Sequence, residues 1–141
     1  MTITRADTLT ISKKQREYFS DFLNSFAYSP VNNNLAKITN EQSVKQSLKN
    51  LVLTNLGERL FQPNIGCGIN NLLFENSTKQ TLSSIEFNVQ NTIKFNEPRV
   101  VLINVEAKET NNPNEVTITI VFSMINNPEP ISINFILKRV R

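Results

Sequence analysis

The C-terminal part of the chain alternates between apolar and polar residues with a period of two. Because successive side chains of a strand point to opposite faces, this pattern predicts strands with one buried face each. A third apolar segment, residues 100–107, precedes the alternating ones, and Asn- and Pro-rich turns separate the three. The pattern predicts a three-stranded antiparallel meander. The alternating apolar positions are Val116, Ile118, Ile120, Phe122, Met124, Ile131, Ile133, Phe135 and Leu137.

Two segments upstream of these strands have the period of an amphipathic helix. The first is expected to end near Gly57, and the second must stop before Pro98 because the residue preceding proline is disfavoured in a helix. Two helices on the apolar face of the meander give an α+β fold. The helical apolar positions are Val44, Leu48, Leu51, Val52, Leu82, Ile85, Val89 and Ile93. Each helix is preceded by residues with the spacing of a capping box, Thr39 with Gln42 and Ser77 with Gln80.

Residues 1–38 show neither period and are predicted to form an irregular N-terminal arm or loop. Pro30 and the asparagines after it interrupt any periodicity, although residues 13–24 could form a short helix. No repeat or linker divides residues 39–141, which we predict to be a single α+β domain. The arm carries aromatic residues that we expect to pack back onto the core: Tyr18, Phe19, Phe22, Phe26 and Tyr28.

Composition narrows the range of possible functions. Hydrophobic residues make up 39% and charged residues 19% of the 141 positions, which is typical of one folded domain. The chain has one cysteine, Cys67, and no histidine, so we expect no intramolecular disulfide, no zinc site and no cofactor. The net charge of +3 comes mostly from scattered basic residues, so no nucleic-acid partner is predicted. No apolar run approaches a membrane span or a signal peptide, so we predict no membrane partner and a cytoplasmic place of assembly.

All three glycines of the chain lie in residues 57–76, together with Pro63 and a short apolar run. No Gly-Lys-Ser/Thr sequence follows them, so a phosphate-binding loop is disfavoured. We predict a structured loop with tight turns. Its candidate structural positions are Gly57, Glu58, Arg59, Pro63, Gly66 and Gly68.

The last predicted strand runs almost to the C-terminus, and no later segment follows to cover it. At a sheet edge its free N–H and C=O groups could pair with a strand of a partner. The terminal Lys138, Arg139 and Arg141 either guard this edge against aggregation or meet an acidic partner.

Three stretches together resemble a known family. They are residues 50–59 (NLVLTNLGER), residues 63–68 (PNIGCG) closed by residues 72–75 (LLFE), and residues 97–100 (EPRV). From about Phe19 to the C-terminus their order and spacing are similar to the baseplate wedge, or sheath-initiator, family of contractile phage tails. This family is shared with type VI secretion baseplates and has historically been labelled lysozyme-like.

The resemblance implies a structural subunit of the virion, assembled in the host cytoplasm, that connects the baseplate wedge to the sheath. It implies that the first sheath ring joins by β-strand addition to the C-terminal strand, through Ile131, Ile133, Phe135 and Leu137. It also implies that Glu97, Pro98 and Arg99 contact the helical core bundle of the wedge. The residues themselves leave an alternative open, an internal ion pair between Glu97 and Arg99 that holds the corner between helix and strand.

Two rival functions are open. A type VI secretion subunit would have nearly the same mechanics. A muramidase would need two carboxylates, one of them with a raised pKa. The available acids are not in a recognisable pair, and the chain has no tryptophan and only two tyrosines for sugar stacking. We therefore assign no catalytic and no metal-binding residue. The acids considered are Glu58, Glu75, Glu86 and Glu97.

Overall fold

The computed structural model describes residues 18–138, apart from Asn32, Asn76, Ser77, Asn111 and Pro113. Helices pack against one face of a three-stranded antiparallel sheet, so the predicted α+β class is confirmed. The elements in chain order are β1 (Ser20–Phe22), β2 (Tyr28–Ser29), β3 (Asn34–Leu35), β4 (Lys37–Thr39), α1 (Asn40–Leu53), α2 (Ile69–Leu73), α3 (Lys79–Asn96), β5 (Val100–Glu109), β6 (Glu115–Met124) and β7 (Asn127–Lys138).

The sheet is the predicted meander, with strand order β5-β6-β7. In the central strand β6 every second residue is buried, as its alternation predicted, and Phe122 is fully buried. On β7 the buried positions are Ile131 and Leu137, whereas Ile133 and Phe135 are only partly covered. The lower burial of β7 than of β6 follows from position, because no described strand lies on the other side of β7.

Both predicted helices form, and their apolar stripes meet the inner face of the sheet. Thr39 precedes α1, but its side chain makes no capping hydrogen bond. The Oδ1 atom of Asn40 instead accepts the backbone N–H groups of Tyr18 and Phe19, which attaches the N-terminal arm to the start of α1. Helix α1 ends at Leu53, earlier than the expected end near Gly57.

Helix α3 is capped by Thr78, whose hydroxyl accepts the N–H of Thr81 at 3.2 Å. The predicted cap, Ser77, lies outside the described residues. The helix ends at Asn96, in agreement with the expected stop before Pro98. None of the helices in the described ranges is long and apolar enough to span a membrane.

The described part of the N-terminal arm is more regular than predicted. Strand β1 pairs with β4 and β2 pairs with β3, both antiparallel, so β1 with β2 and β3 with β4 form the two arms of an extended hairpin. Residues 18–24 contain no helix, and residues 13–17 lie outside the described part. Of the arm's aromatic residues only Phe19 packs against the core. The others are exposed, contrary to expectation. They are Tyr18, Phe22, Phe26 and Tyr28.

The apolar run after the glycines forms the short helix α2 and is not part of the loop. Its Ile69 and Leu73 are buried against the core. Its single turn of helix is too short to show a 3.6-residue period in the sequence.

Candidate interaction surfaces

The first candidate surface is the corner between α3 and β5. Glu97 follows the last residue of α3, and only 4% of it is exposed. Its two carboxylate oxygens accept the Nε and Nη2 groups of Arg99, both at 2.6 Å. Oε2 also accepts the hydroxyl of Ser47 on α1 at 2.7 Å. This bidentate, charge-assisted arrangement fixes the corner to both helices.

The electrostatics keep this pair charged. Burial alone would raise the pKa of the Glu97 carboxyl, but the hydrogen bonds from Arg99 and Ser47 outweigh it and hold that pKa below its usual value. The hydrogen bond to Glu97 raises the pKa of Arg99. The guanidinium also lies over the ring of Phe19, 5.5 Å from its centroid, a cation–π distance that brings the N-terminal arm to the corner.

The geometry therefore contains the internal ion pair that the sequence left open. Contact of Glu97, Pro98 and Arg99 with a partner remains a prediction. Pro98 is exposed and about 30% of the Arg99 side chain is accessible, so these two residues of the three are available for contact with a partner. A groove of about 540 Å³ lies beside them, lined by Gln90, Asn91, Lys94, Glu97, Pro98, Val100, Val101 and Leu102.

The corner also touches the turn between β6 and β7. The carbonyl oxygen of Arg99 accepts the N–H of Ile125, the first residue of that turn, at 3.2 Å. The ion-paired corner and the hairpin that ends in the last strand are thus joined by a backbone hydrogen bond.

The glycine loop is braced from within. Glu58 Oε2 accepts the N–H of Asn55 at 2.8 Å, and the N–H of Gly57 donates to the carbonyl of Pro63 at 2.8 Å. A Cβ on Gly66 would lie 2.7 Å from the backbone carbon of Asn55, so no other residue fits there. Gly68 precedes α2 in the left-handed conformation, with φ of 62°. Arg59 lines a small notch of about 180 Å³ between the loop and the two helices.

Sequence reasoning missed the most exposed apolar side chains of this loop. Leu60 and Phe61 are 92% and 96% exposed. The sequence feature that could have revealed them is a pair of adjacent large apolar residues in a segment with no helix or strand periodicity. Sequence reasoning also missed Ser47 and Phe19 as partners of the corner, because 50 residues separate Ser47 from Glu97.

The second candidate surface is an edge of the sheet. The β5 edge is interrupted by a bulge between Leu102 and Asn104, and the N–H of Ala107 already donates to Glu86 Oε1 at 2.8 Å. No described strand pairs with the outer side of β7. The register of β7 with β6 also shifts, before Ile131, but the regular stretch that follows is longer on β7 (residues 131–138) than on β5 (residues 104–109).

Candidate chemical groups are few within the described residues. In the part of the chain that the structure describes, no group of three or more His, Cys, Asp and Glu residues is placed to hold a metal ion. Cys67 is buried, and burial raises the pKa of its thiol more than the hydrogen bond with Thr92 lowers it. A buried thiol of this kind is an unreactive packing group.

The chain is similar to known proteins both in sequence and in fold. Baseplate wedge protein gp25 of Enterobacteria phage T4 is 33% identical over 69 residues, which are 49% of this chain and 52% of that protein. The match thus spans about half the length of this curated relative. Two solved structures share the fold. One is a candidate tail lysozyme from Geobacter sulfurreducens, with a TM-score of 0.66 and 24% identity over 72% of this chain and 92% of that one.

The second is a chain of the anti-feeding prophage baseplate, with a TM-score of 0.61 and 20% identity over 87% of both chains. The model of the family described as baseplate wedge protein gp25 matches residues 39–129. This match covers more than half of the sequence, so the protein belongs to the baseplate wedge protein gp25 family of contractile tails.

Proposed function

We propose that this protein is a structural wedge subunit that connects the baseplate of a contractile phage tail to its sheath. In this proposal β7 receives a strand of the first sheath ring. The observation that supports it best is the difference between the two sheet edges: the regular part of β5 is shorter and one of its N–H groups donates to Glu86, whereas no described strand pairs with the outer side of β7 from Ile131 to Lys138. Exposed edge groups of this kind pair readily with another chain.

The open edge has a defined extent. Pro128 and Pro130 lie at the start of β7 and have no N–H groups to donate. The part that can pair on both of its sides therefore runs from Ile131 to Lys138. At about 3.3 Å per residue this is a length of about 26 Å.

The corner is the surface proposed for the wedge. Both oxygens of Glu97 are used by Arg99 and Ser47, so we assign Glu97 to positioning. Pro98 and the accessible side of Arg99 then make the direct contact. Their partner is the helical core bundle, which would lie along the groove beside Pro98.

Structure and chemistry support a structural role over a muramidase. A glycosidase acid needs a raised pKa, whereas the pKa of Glu97 is lowered by its hydrogen-bond partners. Glu86 and Glu58 both accept backbone N–H groups. A cell-wall clearing assay is the direct check, and we expect no clearing by the intact chain. Clearing that is lost in a single Glu→Gln variant would establish the enzyme instead.

A proline scan over Ser132, Ile133, Asn134 and Phe135 tests strand addition. Alternate residues of an edge strand turn their N–H groups towards β6 and towards the open side. Proline at the first kind of position removes a hydrogen bond of the sheet and lowers the melting temperature. Proline at the second kind leaves the fold intact but obstructs an added strand.

The readout is capture of the sheath subunit from the same genome, together with thermal unfolding of each variant. We expect the fold-neutral β7 variants to lose sheath binding. Glu109→Pro is the matched control, because alternation from Ala107 places its N–H on the open side of β5. Wild-type sheath binding by the fold-neutral β7 variants would disprove strand addition at this edge.

A further inference from the structure

The open edge of β7 forms one wall of a groove. Opposite Ile133 and Asn134 of β7 lie α1 and the N-terminal hairpin, and the groove between them has a volume of about 390 Å³. Gln46 fixes the hairpin wall, because its Nε2 donates to the carbonyl of Phe22 at 2.8 Å and its Oε1 accepts the N–H of Asn24 at 3.2 Å. A strand added to β7 would therefore lie under α1 as well as beside β7.

The charge of this groove is positive. Lys45 and Lys49 line it one helical turn apart, and no acidic residue is among its lining residues. Lys45 pairs with Glu41 at 2.5 Å, whereas Lys49 is exposed and has no ion pair within the described residues. Side chains at this spacing project from the same side of a helix.

The remaining walls are apolar or carry amide groups. Leu23, Ile38 and Ile133 provide the apolar part. In an added strand, every second side chain would point to the same side as Ile133, into the groove and towards α1. The positions in between would lie beside Asn134, on the outer face of the sheet.

We propose that the strand received by β7 is acidic on its inner face. Resting on the function proposed above, the inference is that a sheath segment of about eight residues carries a carboxylate flanked by apolar side chains at its inward positions. The carboxylate meets Lys49, the apolar neighbours cover Ile133 and Ile38, and backbone pairing with residues 131–138 fixes the register. Opposite charge also accelerates encounter and disfavours basic or uncharged competitor strands.

The test compares the full wild-type chain with its Lys49→Glu variant. The affinity of each for the sheath subunit is measured at low and at high salt. Reversal of this charge leaves the fold unchanged, since Lys49 is exposed on α1. We expect binding to weaken about tenfold in the variant and to become less sensitive to salt. Lys79→Glu, an exposed lysine at the start of α3, is the matched control and should bind as the wild type does.

A charge-swap experiment completes the test. Replacement of the inward carboxylate of the sheath segment by lysine should restore binding to Lys49→Glu. If Lys49→Glu binds normally while the fold-neutral β7 proline variants do not, strand addition stands and the acidic strand is wrong. If neither set of variants matters, the proposed function itself fails. Dimerisation of the chain alone that is lost in Lys49→Glu would overturn the inference, because the occupant would be a second copy.

Discussion

Gly66 and Glu97 are the residues whose surroundings leave the least freedom. Gly66 has φ of 149° and faces the backbone of Thr54 and Asn55, so its lack of a side chain is what lets the loop close on the end of α1. Glu97 is buried at the end of α3, where Arg99 balances its charge and Ser47 donates a further hydrogen bond.

The two glycines of the loop give a matched comparison. Gly66→Ala should lower the free energy of unfolding by about 3 kcal/mol, because the new Cβ meets backbone atoms that cannot turn away. Gly57→Ala should cost about 1 kcal/mol, since Gly57 has φ of 83° but open space around it. Chemical denaturation measures both, and equal losses would contradict the clash at Gly66.

The lowered pKa of Glu97 predicts acid sensitivity. An unperturbed Glu titrates near pH 4.3, so as the pH falls below about 5 the unfolded chain takes up a proton before the folded one does. The stabilisation by the ion pair is complete above that range and is lost as the pH falls through the lower, folded-state pKa. In Glu97→Gln the free energy of unfolding should be about 2 kcal/mol lower at neutral pH and less dependent on pH below 5. If the free energy of unfolding of Glu97→Gln depended on pH as strongly as that of the wild type, Glu97 would not be the source of the acid sensitivity.

At the scale of elements, predictability followed periodicity. Helices α1 and α3 and strands β6 and β7 were predicted because each repeats its apolar period several times, and β5 was predicted from its richness in Val, Leu and Ile. The N-terminal hairpin was missed because its strands are two or three residues long and mostly exposed, so they have no alternation to detect. The sequence allowed the ion pair between Glu97 and Arg99 as one of two alternatives, the other being contact with a partner. The third member of this corner, Ser47, and the open edge of β7 depend on tertiary packing, which local patterns do not record.

The central position of β6 predicts the most costly truncation. Phe122→Ala should lower the free energy of unfolding by about 4 kcal/mol, because it leaves a cavity in the core that the helices and the sheet share. Phe87→Ala removes the same ring from the exposed side of α3 and should cost far less, under about 1 kcal/mol. Thermal and denaturant unfolding of the two variants measure the difference. Similar losses in the free energy of unfolding would mean that Phe87 is buried in solution.

At the scale of the whole molecule, membership of the baseplate wedge protein gp25 family confirms the prediction of a contractile-tail baseplate protein. Such a subunit keeps contact groups on its surface instead of in a cleft. The corner and the β7 edge are the surfaces proposed for such contacts, and Leu60 and Phe61 are exposed on the loop. Contact with the sheath and with the wedge bundle remains proposed at this scale.

Exposed apolar side chains in an internally braced loop predict association of the isolated chain. Leu60→Ser combined with Phe61→Ser should reduce concentration-dependent self-association, because both side chains lie outside the core. The free energy of unfolding should change by less than about 0.5 kcal/mol. Analytical ultracentrifugation with parallel unfolding curves checks both statements. Unchanged association would show that this loop does not cause it.

The hydrogen bond between Ile125 and Arg99 connects the turn of the last hairpin to the ion-paired corner. In the proposed arrangement, a strand laid along β7 would be pulled in shear during tail contraction, and its backbone hydrogen bonds would share the force. The β6–β7 hairpin would pass that force to its turn, and from there to the end of α3. The subunit would then act as a stiff coupling between sheath and wedge, with Arg99 at the point where the tension leaves the sheet.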